Sequence, residues 1–166
     1  MKQSRIVMPP LLVLFLAIMA CSSVSSMDPN NNSQSGTDNT EPDRSDADSS
    51  GNRLKIIIGT RTFSATLVSN PTVTAFKARL PMTVHMTELN GNEKLYNFSK
   101  GLPTNASNPR NIATGDLLLY GSTTLVLFYE SFTTSYSYTR IGKIDNPTGL
   151  AAAVGTGSVS IRFELE

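Results

Sequence analysis

The side chains best suited to hold or transform a ligand collect in one short stretch of this 166-residue chain. Tyr129, Phe132, Tyr136 and Tyr138 crowd a segment whose other members, Ser131, Thr133, Thr134, Ser135 and Ser137, are polar. Rings held in a polar loop point to a contact surface as readily as to a core. Arg140 follows two residues after Tyr138 on a run of strand-forming residues. A guanidinium steadied by stacking presents a rigid donor fork. The competing reading is a solvent-facing strand arginine paired with a carboxylate, worth at most about 1 kcal/mol. His85 is the only histidine. It can serve as acid, base or ligand, but one His and one Cys do not make a metal set, and a wall or surface histidine fits equally. Glu88 and Glu93 offer two carboxylates around Asn90-Gly91, which reads as turn chemistry. Asp116, after Gly115, reads as a turn cap.

No Gly-rich phosphate loop, nucleophile elbow or Ser–His–Asp spacing accompanies these residues. Gly155-Thr-Gly157 precedes a strand instead of opening a helix, so it lacks the dinucleotide context. No cofactor and no metal are expected.

Cys21 is the only cysteine. Lys2 and Arg5 precede an apolar stretch, Leu11 to Ile18, and Met19-Ala20 lead into Cys21. That is a charged region, a short apolar region and a small residue at the cut. Ile18-Met-Ala-Cys21 resembles a bacterial lipobox, whose cysteine is diacylated and becomes the mature N-terminus. A transmembrane helix needs roughly 20 apolar residues; this run is shorter and interrupted by Pro9-Pro10. The expectation is a signal peptide over 1–20 and a protein anchored by Cys21 to a membrane in the bacterial cell envelope, outside the cytoplasm. One acyl chain holds a membrane marginally and two hold it durably. Ser22 and Ser23, with no acidic residue beside them, fit outer-membrane delivery.

Residues 22–52 carry six acids against Arg44, and only Val24, Met27 and Ala47 are apolar. Such a segment buries too little surface to offset its ordering entropy, so 21–52 is expected to be a disordered linker. As a coil it would hold a domain roughly 30 Å from the anchor. Residues 53–166 hold eleven basic and seven acidic residues. This mild excess, without a basic run, speaks against nucleic-acid binding. At about 114 residues the segment suffices for one core and is too short for two ordinary domains.

The elements that must position the candidate residues are mostly strands. Leu54–Ile58 and Thr62–Leu67 flank Gly59-Thr60 as a hairpin. Asn70-Pro71 reads as N-cap and first helical residue, and the Val73, Phe76, Leu80 spacing predicts a helix over 71–80, stopped by Pro81. Met82, Val84 and Met86 alternate with Thr83, His85 and Thr87. Residues 89–115 read as long loops around an extended piece near Tyr96. Leu117–Tyr120 and Thr124–Tyr129 form the most buried hairpin, around Gly121-Ser122, and Tyr138–Ile144 is a further strand. A helical turn over 147–154 closes at Gly155, and Ser158–Glu166 ends the chain with Val159, Ile161, Phe163 and Leu165 inward. Strand-rich and closed by a terminal strand, the domain is expected to be mainly β, a small barrel or sandwich.

Several stretches resemble the cyclophilin-like fold domains of bacterial and archaeal proteins of unassigned function. They are Asn70-Pro-Thr-Val-Thr-Ala-Phe76, Leu89-Asn-Gly-Asn-Glu-Lys94, Gly101-Leu-Pro-Thr-Asn-Ala106, Gly115-Asp-Leu-Leu-Leu-Tyr-Gly121, Leu127-Phe-Tyr129, Ser135-Tyr-Ser-Tyr-Thr-Arg-Ile-Gly-Lys-Ile144 and Gly155-Thr-Gly-Ser-Val159. The resemblance implies a closed antiparallel β-barrel of about eight strands with one or two short helices. It does not carry an activity. Cyclophilins that isomerise X–Pro bonds use an arginine in a Phe-His-Arg segment and a Gln-Gly-Gly-Asp stretch, and this chain has neither.

Three readings follow. The first is a peptide- or small-ligand-binding module using Arg140, Tyr136, Tyr138, Tyr129, Phe132 and His85. The second is a divergent prolyl isomerase or chaperone of the envelope, with Arg140 donating to the prolyl nitrogen as amide resonance is lost over a barrier of ~18–20 kcal/mol. The third is an assembly component using loop 89–115 as an interface.

Overall fold

The computed structural model describes residues 51–166. The expected signal peptide, Cys21 and nearly all of the expected linker lie outside the described residues. β1 (Arg53–Ile58) and β2 (Arg61–Leu67) form the hairpin, with Gly59 at φ 58° in its turn. A glycine takes that left-handed conformation without strain. Phe63, Ala65 and Leu67 are buried, as their alternation predicts.

Helix α1 (Pro71–Lys77) starts where expected, with the Asn70 side chain accepting from the Val73 N–H at 2.8 Å. It ends three residues short of the predicted 80. The Arg79 and Leu80 amides donate to the Phe76 and Lys77 carbonyls, tight turns that take the chain off the helix. Pro81 has no N–H with which to continue the helical ladder. Phe76, fully buried, plugs the barrel with its ring edge-on to Phe163 at 6.2 Å.

The remaining strands are β3 (Met82–Leu89), β4 (Glu93–Asn97), β5 (Asn111–Ile112), β6 (Asp116–Tyr120), β7 (Thr124–Phe128), β8 (Phe132–Thr133), β9 (Tyr138–Ile144) and β10 (Val159–Leu165). A second short helix, α2 (Leu150–Val154), precedes β10 and ends at Gly155. Eight strands close a barrel in the order β1-β10-β3-β4-β7-β6-β9-β2, every neighbouring pair antiparallel. The mainly β, closed-barrel expectation is met. In β10, Ile161 and Phe163 are buried, but Val159 is only half-buried and Leu165 is 43% exposed. β3 pairs no further than Met82 opposite Phe163, which leaves Leu165 at the uncovered rim.

β6 and β7 are apolar on both faces. Leu117, Leu119, Leu125 and Leu127 join the barrel core, whereas Leu118, Val126 and Phe128 form a second cluster with Ile112 and Tyr138. β5 and β8 pair with each other over this outer face, placing Ile112 and Phe132 against it. Strands covered on both sides read as continuous apolar runs. The run from Leu117 to Leu119 is one.

A bulge sets the outward register of β9. Leu117 faces Gly142 and Leu118 faces Arg140, leaving Ile141 as the extra residue. A Cβ on Gly142 would sit 2.6 Å from the Thr66 carbonyl oxygen. Gly142→Ala is expected to cost about 1–3 kcal/mol, as an overpacked site does, read as a lower denaturation midpoint with an unchanged slope.

Candidate functional site

The bulge brings Tyr138 opposite Tyr120 on the outer face. Tyr136 joins them from the loop before β9. The Tyr120 ring lies 5.9 Å from Tyr136 at 84° and 5.6 Å from Tyr138 at 53°. These three rings frame a hollow of about 230 Å³, completed by Leu89, Glu93 and Leu95. Tyr138 is buried, while Tyr120 and Tyr136 are 46% and 61% exposed. Exposed rings beside a concavity are a place for a partner.

The loop carrying Tyr136 is well tied. Thr134 donates its amide to the Arg110 carbonyl at 2.8 Å, and its hydroxyl accepts from the Tyr136 amide at 3.1 Å. Asn108 donates to the Ser135 carbonyl, and Ser107 and Tyr138 exchange two backbone bonds of 3.0 Å. Segment 103–112 therefore acts as a brace. A braced ring loses less entropy when a ligand arrives.

Glu93 is the carboxylate of the hollow. It is half-buried, and its side chain has no hydrogen-bond or ion-pair partner among the described residues. Burial pushes its pKa above the ordinary carboxylate value, and the nearby charge of Glu88 adds to this. Burial also raises the Tyr138 phenol, with the field of Glu93 next in weight.

Arg140 lies two residues beyond Tyr138, exposed and outside the lining of the hollow. Its guanidinium has no hydrogen-bond partner among the described residues, while its carbonyl accepts from the Asn70 amide group at 2.8 Å. His85 is exposed on β3 beside Ser160, at 3.4 Å, away from the rings. Phe132 packs on Phe128 at 5.6 Å and helps cover the outer face.

Tyr129 turns the other way. It joins the barrel core, and its hydroxyl donates toward Glu88, 2.9 Å from each carboxylate oxygen. Lys94, fully buried, donates to Glu88 and to the Gly155 and Gly157 carbonyls at 2.8 and 2.7 Å. Its ammonium also sits 5.2 Å from the Tyr129 ring centroid. All three Lys94 donors are used, so the cluster is satisfied. Burial alone would raise the Glu88 carboxyl, but bonds from Lys94, Tyr129 and the Gly91 amide outweigh it and hold the pKa below its ordinary value. Burial and the bond to Glu88 push the Tyr129 phenol up to about 12. This network clamps the α2–β10 connection to the barrel. It is a structural device.

The four aromatics that stand together in sequence thus divide among three places. Tyr120 and Leu95, which complete the hollow, went unmarked by sequence reasoning. The signal for Tyr120 was the alternation in β6, where Leu118 and Tyr120 share the face opposite Leu117 and Leu119. Among the described residues, no cluster of three His, Cys, Asp or Glu side chains could hold a metal ion. Asp116 accepts from the Ala113 amide at 2.9 Å, the turn cap expected of it.

No curated protein was found to match the chain. A model of the cyclophilin-like family matches residues 56–164, which spans all but the outermost residues of the closed barrel, and the chain belongs to that family.

Proposed function

We propose that this cyclophilin-like domain is a ligand-binding module of the cell envelope, taking a peptide or small ligand in the hollow between Tyr120, Tyr136 and Tyr138. The observation that carries this reading is the pair of exposed rings, Tyr120 and Tyr136, held at fixed angles over an apolar floor by a hydrogen-bonded loop. Arg140 is accessible but lies outside the lining, which favours binding over isomerisation.

The test is NMR titration of the purified protein with an Ala-Pro-containing peptide under exchange-sensitive conditions. Shifts centred on Tyr120, Tyr136 and Tyr138 without faster cis–trans exchange are expected. Exchange faster than the uncatalysed tens of seconds, lost on Arg140→Ala, would replace this reading with the divergent isomerase. No shift there with this peptide or with a mixed set of small ligands would overturn it.

The tether is part of the same proposal. It rests on the apolar run before Cys21 and the polar, acidic stretch after it. Cys21→Ser is expected to move the protein from the membrane fraction to the soluble one and to remove the acyl mass from the N-terminal peptide. An unchanged fractionation would reject the lipid anchor and leave the binding reading standing.

A further inference from the structure

Three rings, one of them inclined to both others, and one carboxylate are the parts of a cation site. Each aromatic face carries negative potential, and an alkylammonium or guanidinium within about 6 Å of a ring centroid is attracted to it. Tyr120 stands within 6 Å of both other rings, and all three line the hollow, with Tyr120 and Tyr136 exposed. Glu93 lines the same hollow, half-buried and without a cationic partner among the described residues. An unpaired carboxylate in a partly desolvated place is costly unless a positive charge joins it.

Several other charged side chains in the domain already have partners. Glu88 has Lys94, Arg53 has Asp145, and Glu164 has Arg162. Arg79 lies over Phe98 at 4.4 Å and donates to the Lys100 and Gly101 carbonyls. The tyrosine hollow is the candidate in which aromatic faces and a carboxylate lack their complement.

Size narrows the ligand further. A hollow of about 230 Å³ falls below the ~300–1,000 Å³ of sites that enclose drug-sized molecules. It suits one head group, with the remainder of the ligand lying outside. We propose that the tyrosine hollow recognises an organic cation, an alkylammonium or guanidinium group, through the exposed rings of Tyr120 and Tyr136, which Tyr138 backs, and the charge of Glu93. This deepens the binding-module reading and rests on it. The head group belongs either to a small free cation or to the basic side chain of a peptide.

The experiment compares four probes on the purified protein by NMR. They are choline, its uncharged carbon isostere 3,3-dimethylbutan-1-ol, an Ala-Arg-Ala peptide, and the Ala-Pro peptide used above, both peptides acetylated and amidated so that their ends carry no charge. Both cations are expected to shift the rings of Tyr120, Tyr136 and Tyr138, with choline binding about fivefold tighter than its isostere, the factor that roughly 1 kcal/mol of cation–π attraction supplies. Glu93→Gln and Tyr136→Ala are each expected to weaken cation binding by about fivefold or more. Tyr136 is 61% exposed, so its truncation leaves the fold intact. Tighter binding of the peptide than of choline identifies a basic side chain as the ligand, and the reverse a free cation. Equal binding of choline and isostere, or cation affinity indifferent to Glu93→Gln, overturns the proposal. If the Ala-Pro peptide alone shifts the rings, cation recognition fails and the binding module survives. If nothing shifts them, both fall.

Discussion

Replacing Lys94 with methionine is expected to lower the unfolding free energy by about 3 kcal/mol, the low end for removing one partner of a buried ion pair. The side chain is fully buried and serves three acceptors at once. Methionine fills much of the volume but leaves the Gly155 and Gly157 carbonyls and Glu88 without their donor. The low end applies because the Glu88 side chain is 22% exposed and keeps its bonds from Tyr129 and the Gly91 amide. Adding Glu88→Gln to Lys94→Met should recover part of the loss, since it removes the stranded charge. A cost below about 1 kcal/mol for Lys94→Met would mean that the network contributes no more than a surface pair.

The same cluster gives stability two pH edges. The Glu88 carboxyl is held below its ordinary value in the fold, so its contribution is present above the unfolded carboxylate range and is lost as pH falls through the folded value. The Tyr129 phenol behaves oppositely. Raised to about 12, it contributes fully below the ordinary tyrosine value near 10 and loses that contribution as pH climbs from there to about 12. Denaturation midpoints across pH should show both edges, and Tyr129→Phe should remove the alkaline one.

Phe163→Ala is expected to cost about 3–5 kcal/mol, the range for deleting a buried aromatic ring. Phe163 is fully buried on β10 and meets Phe76 of α1 edge to face, so its loss opens a cavity and removes the seat of the helix. At roughly 4 °C per kcal/mol for a domain of this size, the midpoint should fall by at least about 10 °C. The measurement is thermal unfolding followed by near-ultraviolet circular dichroism. A fall of only a few degrees would show that α1 settles into the space.

The barrel was largely legible because its strands carry their period and its turns their residues. The 53–67 hairpin, the Asn70 cap and the Leu117–Phe128 hairpin each follow from local chemistry. The site was less so. Tyr129 to Tyr138 read as one aromatic patch, but the direction of a ring depends on strand register, and the extra residue at Ile141 shifts it. Register is set by pairing between distant segments, which no local window contains. Lys94 lay equally out of reach. It sits in a stretch that read as loop, and its inward placement is tolerable because Glu88 and the carbonyls of Gly155 and Gly157, some sixty residues on, take its three donors.

The strand between β1 and β3 is the last one in the barrel, Val159–Leu165. During synthesis, every other barrel strand leaves the ribosome before β10. Until it arrives, β1 and β3 each present a bare edge able to pair with another chain. Closure must also join segments about a hundred residues apart, Leu54 with Leu165, and contacts so distant in sequence form slowly. The nascent chain is therefore open for longer than its size suggests, and a ribosome stalled short of Val159 releases a product with two sticky edges. Folding hazard in this domain is concentrated in its last strand.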